Sequence, residues 1–278
     1  MNTVWITGGS GGLGLAVSEA FERDGWLVIS GARSFTNESA ASVTPKQGTT
    51  VRLHLDVTNA ESCEAFARNA LQISSRVDAL VCAAAILNLG SCEKTTADEY
   101  NRVMQTNFVG LARMVSLALP TMRAQGSGKI MLFSSINGLM GIPFQSAYTA
   151  SKHAIEGYAE CLAMETGPFG VQVCLIEPGD HRGGSKHTRL HASLEDDASP
   201  YAKAYRGACA VIERDESGGL LPADLGRKVL RNAKRRRMRF RLRVAKPDQR
   251  LAVLLHRVLP MPLLACVLRD YYKGVSDK

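Results

Sequence analysis

The chain has 278 residues, 45% of them apolar and 22% charged, a balance that permits a sizeable buried core and excludes disordered and collagen-like classes. Lysine and arginine outnumber aspartate and glutamate by 34 to 26, and the resulting +8 would suit nucleic acid, an anionic membrane or an anionic cofactor without choosing among them. Seven cysteines without a C-x-x-C pair predict reduced, mostly buried thiols; with no secretory leader and no run of about 18 apolar residues, the expected compartment is the cytoplasm.

Val4-Trp5-Ile6 reads as a short buried strand, followed by a glycine-rich turn and by Leu13, Val17, Ala20 and Phe21 at helical spacing. A second buried strand covers 26–29 and ends at Arg33, and a third covers 51–55. The spacing then predicts a helix over 60–73, a strand over 79–84, a long helix over 97–119 stopped near Pro120, a strand over 129–134, a helix over 147–165 and a strand over 171–176. Apolar strands separated by helices predict an α/β fold, a Rossmann-type doubly wound parallel sheet of about seven strands with helices on both faces. The pattern breaks over 180–220, a predicted insertion or lid with a weakly amphipathic patch at 201–212. Beyond it, 223–236 reads as a basic helix opened by Pro222. Residues 237–244 alternate arginine with apolar residues, as an edge strand would, its arginines facing water or acidic partners. Leucine-rich residues 250–272, interrupted by Pro260 and Pro262, predict two short amphipathic helices within a C-terminal extension at 248–274. With no repeat or linker, 1–278 is expected to form a single domain.

The segment Thr7-Gly8-Gly9-Ser10-Gly11-Gly12-Leu13-Gly14 lies between a strand and a helix, where glycines let the backbone approach a pyrophosphate and the helix N-terminus faces the anion. The end of the second strand carries an acid where NAD is bound and a base where the 2′-phosphate of NADP is bound; here it is Arg33, followed by the hydroxyl of Ser34. NADP(H) is therefore the expected cofactor, against the plainer reading of Arg33 as a solvated arginine.

Tyr148 and Lys152 are four residues apart, on one face of a predicted helix, so the ammonium is expected to pull the phenol pKa down towards working pH, as suits a general acid/base. Together with the glycine turn, the sequence resembles the short-chain dehydrogenase/reductase superfamily over its first 180 residues: TGGSGGLG matches the T-G-x-x-x-G-x-G turn and YTASK the Y-x-x-x-K motif. The resemblance implies a catalytic serine thirteen residues before the tyrosine, at Ser135, and a helix asparagine at Asn107 in QTNFVG. It also implies an adenine-side turn at Asp56-Val57 and a P-G at Pro178-Gly179. It further implies hydride transfer between the nicotinamide and a carbonyl carbon. Tyr148 would donate the proton, Ser135 steady the oxygen, Lys152 hold the nicotinamide ribose and Asn107 position a relay water. The alternatives are a turn-satisfying Ser135, an Asn107 that bridges backbone across a helix kink and an Asp56 that caps a helix.

Two departures stand out. The family's N-N-A-G appears as Cys82-Ala83-Ala84-Ala85, with Ala83 and Ala84 backing the cofactor pocket, and the threonine expected after P-G is Gly183, for which Arg182 or Ser185 would have to substitute. His181, His187 and His191 read as solvated loop residues, and no metal is expected. The basic strand and leucine-rich tail are similar to the branch containing hydroxysteroid and retinol dehydrogenases, which implies a bulky apolar carbonyl or alcohol substrate, steroid-, retinoid- or polyketide-like. The tail is expected to pack on its own subunit or on a partner in a homodimer or homotetramer, ahead of peripheral membrane contact; nucleic-acid binding is not expected. The competing function is a nucleotide sensor or scaffold that kept the fold and lost turnover, with the CAAA turn as its support.

Overall fold

The computed structural model describes residues 1–36, 46–183 and 188–273. In chain order the elements are β1 (Thr3–Thr7), α1 (Gly12–Arg23), β2 (Leu27–Ala32), β3 (Thr49–His54), α2 (Ala60–Ile73), β4 (Ala79–Cys82) and β5 (Leu87–Leu89), then α3 (Ala97–Met104), α4 (Gly110–Ala124), β6 (Gly128–Phe133), α5 (Ser146–Thr166) and β7 (Val171–Pro178). They continue with β8 (Arg189–His191), α6 (Ala202–Ser217), α7 (Pro222–Ala233), β9 (Arg241–Val244), α8 (Pro247–Val258) and α9 (Met261–Tyr272). Seven strands form one parallel sheet in the order β3-β2-β1-β4-β6-β7-β9.

The continuous apolar runs of these strands follow from burial on both faces. In β1, Trp5 points into a layer shared with Phe66 of α2, Met114 of α4 and Ile155 of α5, whereas Val4 and Ile6 point into a layer shared with Phe21 of α1 and Val229 of α7. Trp5 and Phe66 meet edge to face, with ring centroids 5.8 Å apart. Thr7 at the end of β1 sits opposite Gly31 in β2 and Cys82 in β4, so three strand ends align where the strand order reverses. A crevice at that switch point is the usual ligand site of such sheets.

Several expectations need correction. Pro120 does not stop the long helix: it lies inside α4, which runs on to Ala124 and ends at Gly126, a glycine with positive φ. The interruption comes earlier, as a π turn over Gln105–Val109 that carries Asn107. The edge strand shrinks to Arg241–Val244. Before it, Asn232 and Gln172 take the amides of Arg239 and Met238, so local side-chain hydrogen bonds replace the ladder. The 180–220 segment contains β8, which pairs with β5 in a small parallel ribbon that the sequence did not suggest, and α6 extends the amphipathic patch by more than a turn. Only three of the seven cysteines are buried.

Candidate active site

A cleft of about 500 Å³ opens beyond the C-terminal ends of β1, β4 and β6. Its floor is backbone. Gly8 has φ of +73°, and a side chain there would place Cβ 2.8 Å from the Ala84 Cα; at Gly14 a Cβ would lie 2.3 Å from the Gly8 carbonyl oxygen. Larger residues would therefore wedge β1, α1 and the turn after β4 apart. Gly11, the N-cap of α1, caps with no side chain, which leaves the first-turn N–H groups of the helix to an outside acceptor. This donor set fits a dinucleotide pyrophosphate. Ser10, Gly12 and Leu13 also line the cleft, and Arg33 and Ser34 stand exposed on its rim just past β2.

Thr7 does not line the cleft. Its buried Oγ1 accepts the Ala83 and Ala84 amides, each at 3.2 Å, and so fastens the CAAA turn to β1. The apolar turn is consequently well packed: Cys82 and Ala84 join one core layer, and Ala83 the other. Asp56 and Val57 line the cleft beside Arg33 and Ser34. Burial alone would raise the Asp56 pKa, but hydrogen bonds from the Thr58 hydroxyl and amide, with the charge of Arg33, bring it below its ordinary value. Asp56 does not cap α2; Asn59 does, accepting the Ser62 amide.

Ser135, Tyr148 and Lys152 converge on the same cleft as the glycine turn. Ser135 follows β6 directly; its hydroxyl accepts the Asn137 amide at 3.2 Å and faces the Pro178 carbonyl at 3.4 Å. Tyr148 and Lys152 rise one turn apart on α5, with Nζ 5.3 Å from the phenol ring centroid. Lys152 is only 2% exposed, and its Nζ donates to the Phe133 carbonyl at 2.6 Å. The expected acidification of Tyr148 by Lys152 does not hold. Burial pushes the phenol up to about 12; a hydrogen bond with Ser135 opposes this, and the carboxylates of Glu216 and Asp180 reinforce it. Burial also pulls Lys152 down to about 7, against the charge of Glu156 one turn further on. Desolvation is strongest at the buried Lys152, whereas Tyr148 is only half-buried where it lines the cleft.

Asn107 sits in the π turn, buried. Its side chain accepts the Ile86 amide at 2.8 Å and donates to the Ile86 carbonyl at 2.9 Å and to the Ser151 hydroxyl at 3.0 Å. It fastens the Ile86 backbone to the π turn beneath the cleft wall, and its side chain is not part of the lining. Pro178 and Gly179 line the far end, with Gly183 at φ +66°. His181 is buried, not solvated: its ring Nδ1 donates to the Gly179 carbonyl at 2.9 Å, and burial lowers its pKa. Arg182 is exposed; Ser185 and His187 lie outside the described residues. Among the described residues, no group of three potential metal ligands comes together.

The 180–220 lid does contribute to the substrate-side wall, through Asp180 and Glu216, but the individual residues were not foreseen. Asp180, Glu216, Asn137 and Gln145 line that wall, and Tyr148 packs with Leu87, Leu89, Ile212, Tyr205 and Tyr272. Glu216 is held by Arg189 at 2.6 Å, and Asp180, raised to about 6 chiefly by burial and by neighbouring Asp215 and Glu216, is bound by Gln249. These residues come from segments far apart in sequence, and no local pattern marks them.

Residues 2–192 match the family described as short chain dehydrogenase. The chain is 34% identical over 269 residues to a 3-ketodihydrosphingosine reductase of Bacteroides thetaiotaomicron, covering 97% of each protein. It is 37% identical over 184 residues to human 17-beta-hydroxysteroid dehydrogenase type 1, covering 63% of this chain and 56% of the human protein. Among solved structures, a short-chain dehydrogenase from Streptomyces avermitilis superposes with a TM-score of 0.79 at 28% identity, covering 98% of both chains.

Proposed function

The chain belongs to the short-chain dehydrogenase family, and from that premise we propose that it is an NADP(H)-dependent reductase of a ketone on a long apolar substrate, with Tyr148 as proton donor. The observation that carries this reading is the convergence of Ser135, Tyr148 and Lys152 with the Gly8–Gly14 turn in one cleft. The turn and the N-terminus of α1 would hold the pyrophosphate. Arg33 and Ser34 offer a guanidinium and a hydroxyl where a 2′-phosphate is recognised. A bound nicotinamide supplies hydride to the carbonyl carbon.

The chain's own groups manage the oxygen. Tyr148, whose pKa is raised above the ordinary phenol value by partial burial and nearby carboxylates, is protonated at neutral pH, the state that carbonyl reduction requires. Ser135, its hydrogen-bonding neighbour, places a second donor beside the developing negative charge. Lys152, anchored on Phe133, is positioned to hold the nicotinamide ribose. Asn107 acts indirectly, by fixing Ile86 at the cleft edge. The relative matched along nearly its whole length is named for a ketone on a long-chain lipid, and the substrate side here is lined by Leu87, Ile136 and aromatic rings, in keeping with an alkyl chain. The sensor alternative loses its support, since the CAAA turn is packed and hydrogen-bonded.

The test is oxidation of NADPH or NADH by purified protein with long-chain 3-ketones, followed at the nicotinamide band. The expected result is turnover with at least about a tenfold preference for NADPH, reversed towards NADH by Arg33→Asp, a difference of roughly 1.4 kcal/mol or more in recognition. An unchanged cofactor ratio in that variant would place the phosphate contact elsewhere. Tight NADPH binding without turnover on any ketone would favour the sensor.

A further inference from the structure

Helices α8 and α9 each carry two apolar faces. The inner faces are used: Val253 and Leu268 pack with Ile136, Met140 and Ile142 just after Ser135, and Tyr272 reaches the cluster that contains Tyr148. The outer faces carry Leu251, Leu254 and Val258 on α8 and Met261, Leu263 and Val267 on α9, each 53–67% exposed. Seven of the fourteen large apolar side chains exposed among the described residues fall between 251 and 271, and the rest are scattered along the chain. A helix apolar on both faces needs a second apolar surface.

Charge indicates which surface. On α8, Leu251, Leu254 and Val258 share the exposed face with Arg250 and Arg257, at spacings of three and four residues. If a second copy covered the face in an isologous contact, these arginines would approach their own counterparts. An anionic headgroup layer instead pairs with them while the leucines enter the acyl boundary. Length fits as well. Each helix has 12 residues, about 18 Å, too short to cross a hydrocarbon core of about 30 Å but sufficient to lie in its surface.

We propose that the outer face of α8 and α9 docks on the surface of an anionic lipid bilayer. The inner faces of the same helices pack on Ile136, which lines the cleft, and on the cluster around Tyr148, so a substrate with a long alkyl chain would pass from bilayer to Tyr148 along apolar surface. Of the expectation that the tail packs on its own subunit or on a partner, the first half accounts for the inner faces alone.

The test is co-sedimentation of the full chain with phosphatidylcholine vesicles, with and without phosphatidylglycerol; it needs no turnover and is independent of the proposed reaction. Wild-type protein is expected to sediment with the phosphatidylglycerol vesicles and to bind phosphatidylcholine alone about tenfold more weakly, two arginines being involved. Leu254→Asp/Leu263→Asp should weaken binding at least about tenfold, since each change removes a buried side chain from the acyl boundary. Both sites are exposed, so unchanged far-UV circular dichroism should verify the fold. Wild-type protein left in the supernatant with both vesicles overturns the proposal, as does equal sedimentation of the double variant. A dimer seen by light scattering that the double variant dissociates, without vesicle binding, assigns the face to a second copy and overturns it too.

Discussion

On the nucleotide side, the cleft wall is backbone: Gly8, Gly14 and the Ala83-Ala84 turn approach so closely that no side chain fits between them, and Thr7 stitches the strand ends together. On the opposite side, the wall is side chain. Asp180 and Glu216 reach the cleft from separate segments, held by Gln249 and Arg189, and Tyr205 and Tyr272 pack behind in the cluster that includes Tyr148. A buried ion network extends the second style behind the active site: Glu177, 0% exposed, takes both Arg241 and Arg243 of β9 at 2.8 Å, and Arg241 also binds Glu156 one turn beyond Lys152. A backbone wall reads a group common to many substrates, a pyrophosphate, and is built from short-range sequence. A side-chain wall is particular to one substrate and needs long-range folding to assemble.

The comparison can be broken where the two sides meet. The largest effect is expected for Tyr148→Phe, which keeps the ring in its apolar cluster and removes the proton: turnover should fall by about 10²–10⁴-fold with NADPH affinity unchanged. Near wild-type turnover would remove Tyr148 from its role, and loss of NADPH binding would show that the two walls are not separable.

Next in size is Glu177→Ala. Two guanidiniums, less than a third exposed, would lose their shared carboxylate, and urea unfolding should show a loss of about 3 kcal/mol. A change below about 0.5 kcal/mol would mean that β9 is held by its apolar contacts and the network is incidental.

Smallest per pH step is a change that sharpens the electrostatics. Lys152 has a folded pKa of about 7, below the ordinary lysine value of 10.5, so between these the unfolded chain holds a proton that the folded chain has released. Stability should therefore rise with pH across that window, by up to about 1.4 kcal/mol per pH unit, the burial penalty being fully present below it. Lys152→Met should flatten that rise in urea midpoints. An equal slope in the variant would locate the titration in another group.

The sheet, its helices and the residues of the nucleotide wall were legible in sequence because each depends on neighbours: strands buried on both faces read as apolar runs, and a strand-turn-helix needs glycines at fixed offsets. The i, i+4 pair of Tyr148 and Lys152 was legible for the same reason, but its electrostatics were not. Spacing showed that the groups are adjacent; only the folded surroundings showed a buried Lys152 and a partly buried phenol facing Glu216 and Asp180, which reversed the expected shift. Pro120 misled because packing of Met122 into the core carries α4 past the hydrogen bond that the proline forfeits, and the partners of Asn107, Ile86 and Ser151, were not legible because they lie 21 and 44 residues away. The ribbon of β5 and β8 left no trace, since three-residue strands carry no usable period.

The sequence by itself determined the doubly wound sheet, the glycine turn and the serine, tyrosine and lysine that share the cleft, because periodicity and motif spacing are short-range properties of a chain. Tertiary structure alone decided the burial that sets the charges of Tyr148 and Lys152, the acidic and aromatic substrate wall, and the unpaired outer face of the last two helices. Desolvation and long-range packing depend on which distant segments come to cover a residue, and no local pattern records that.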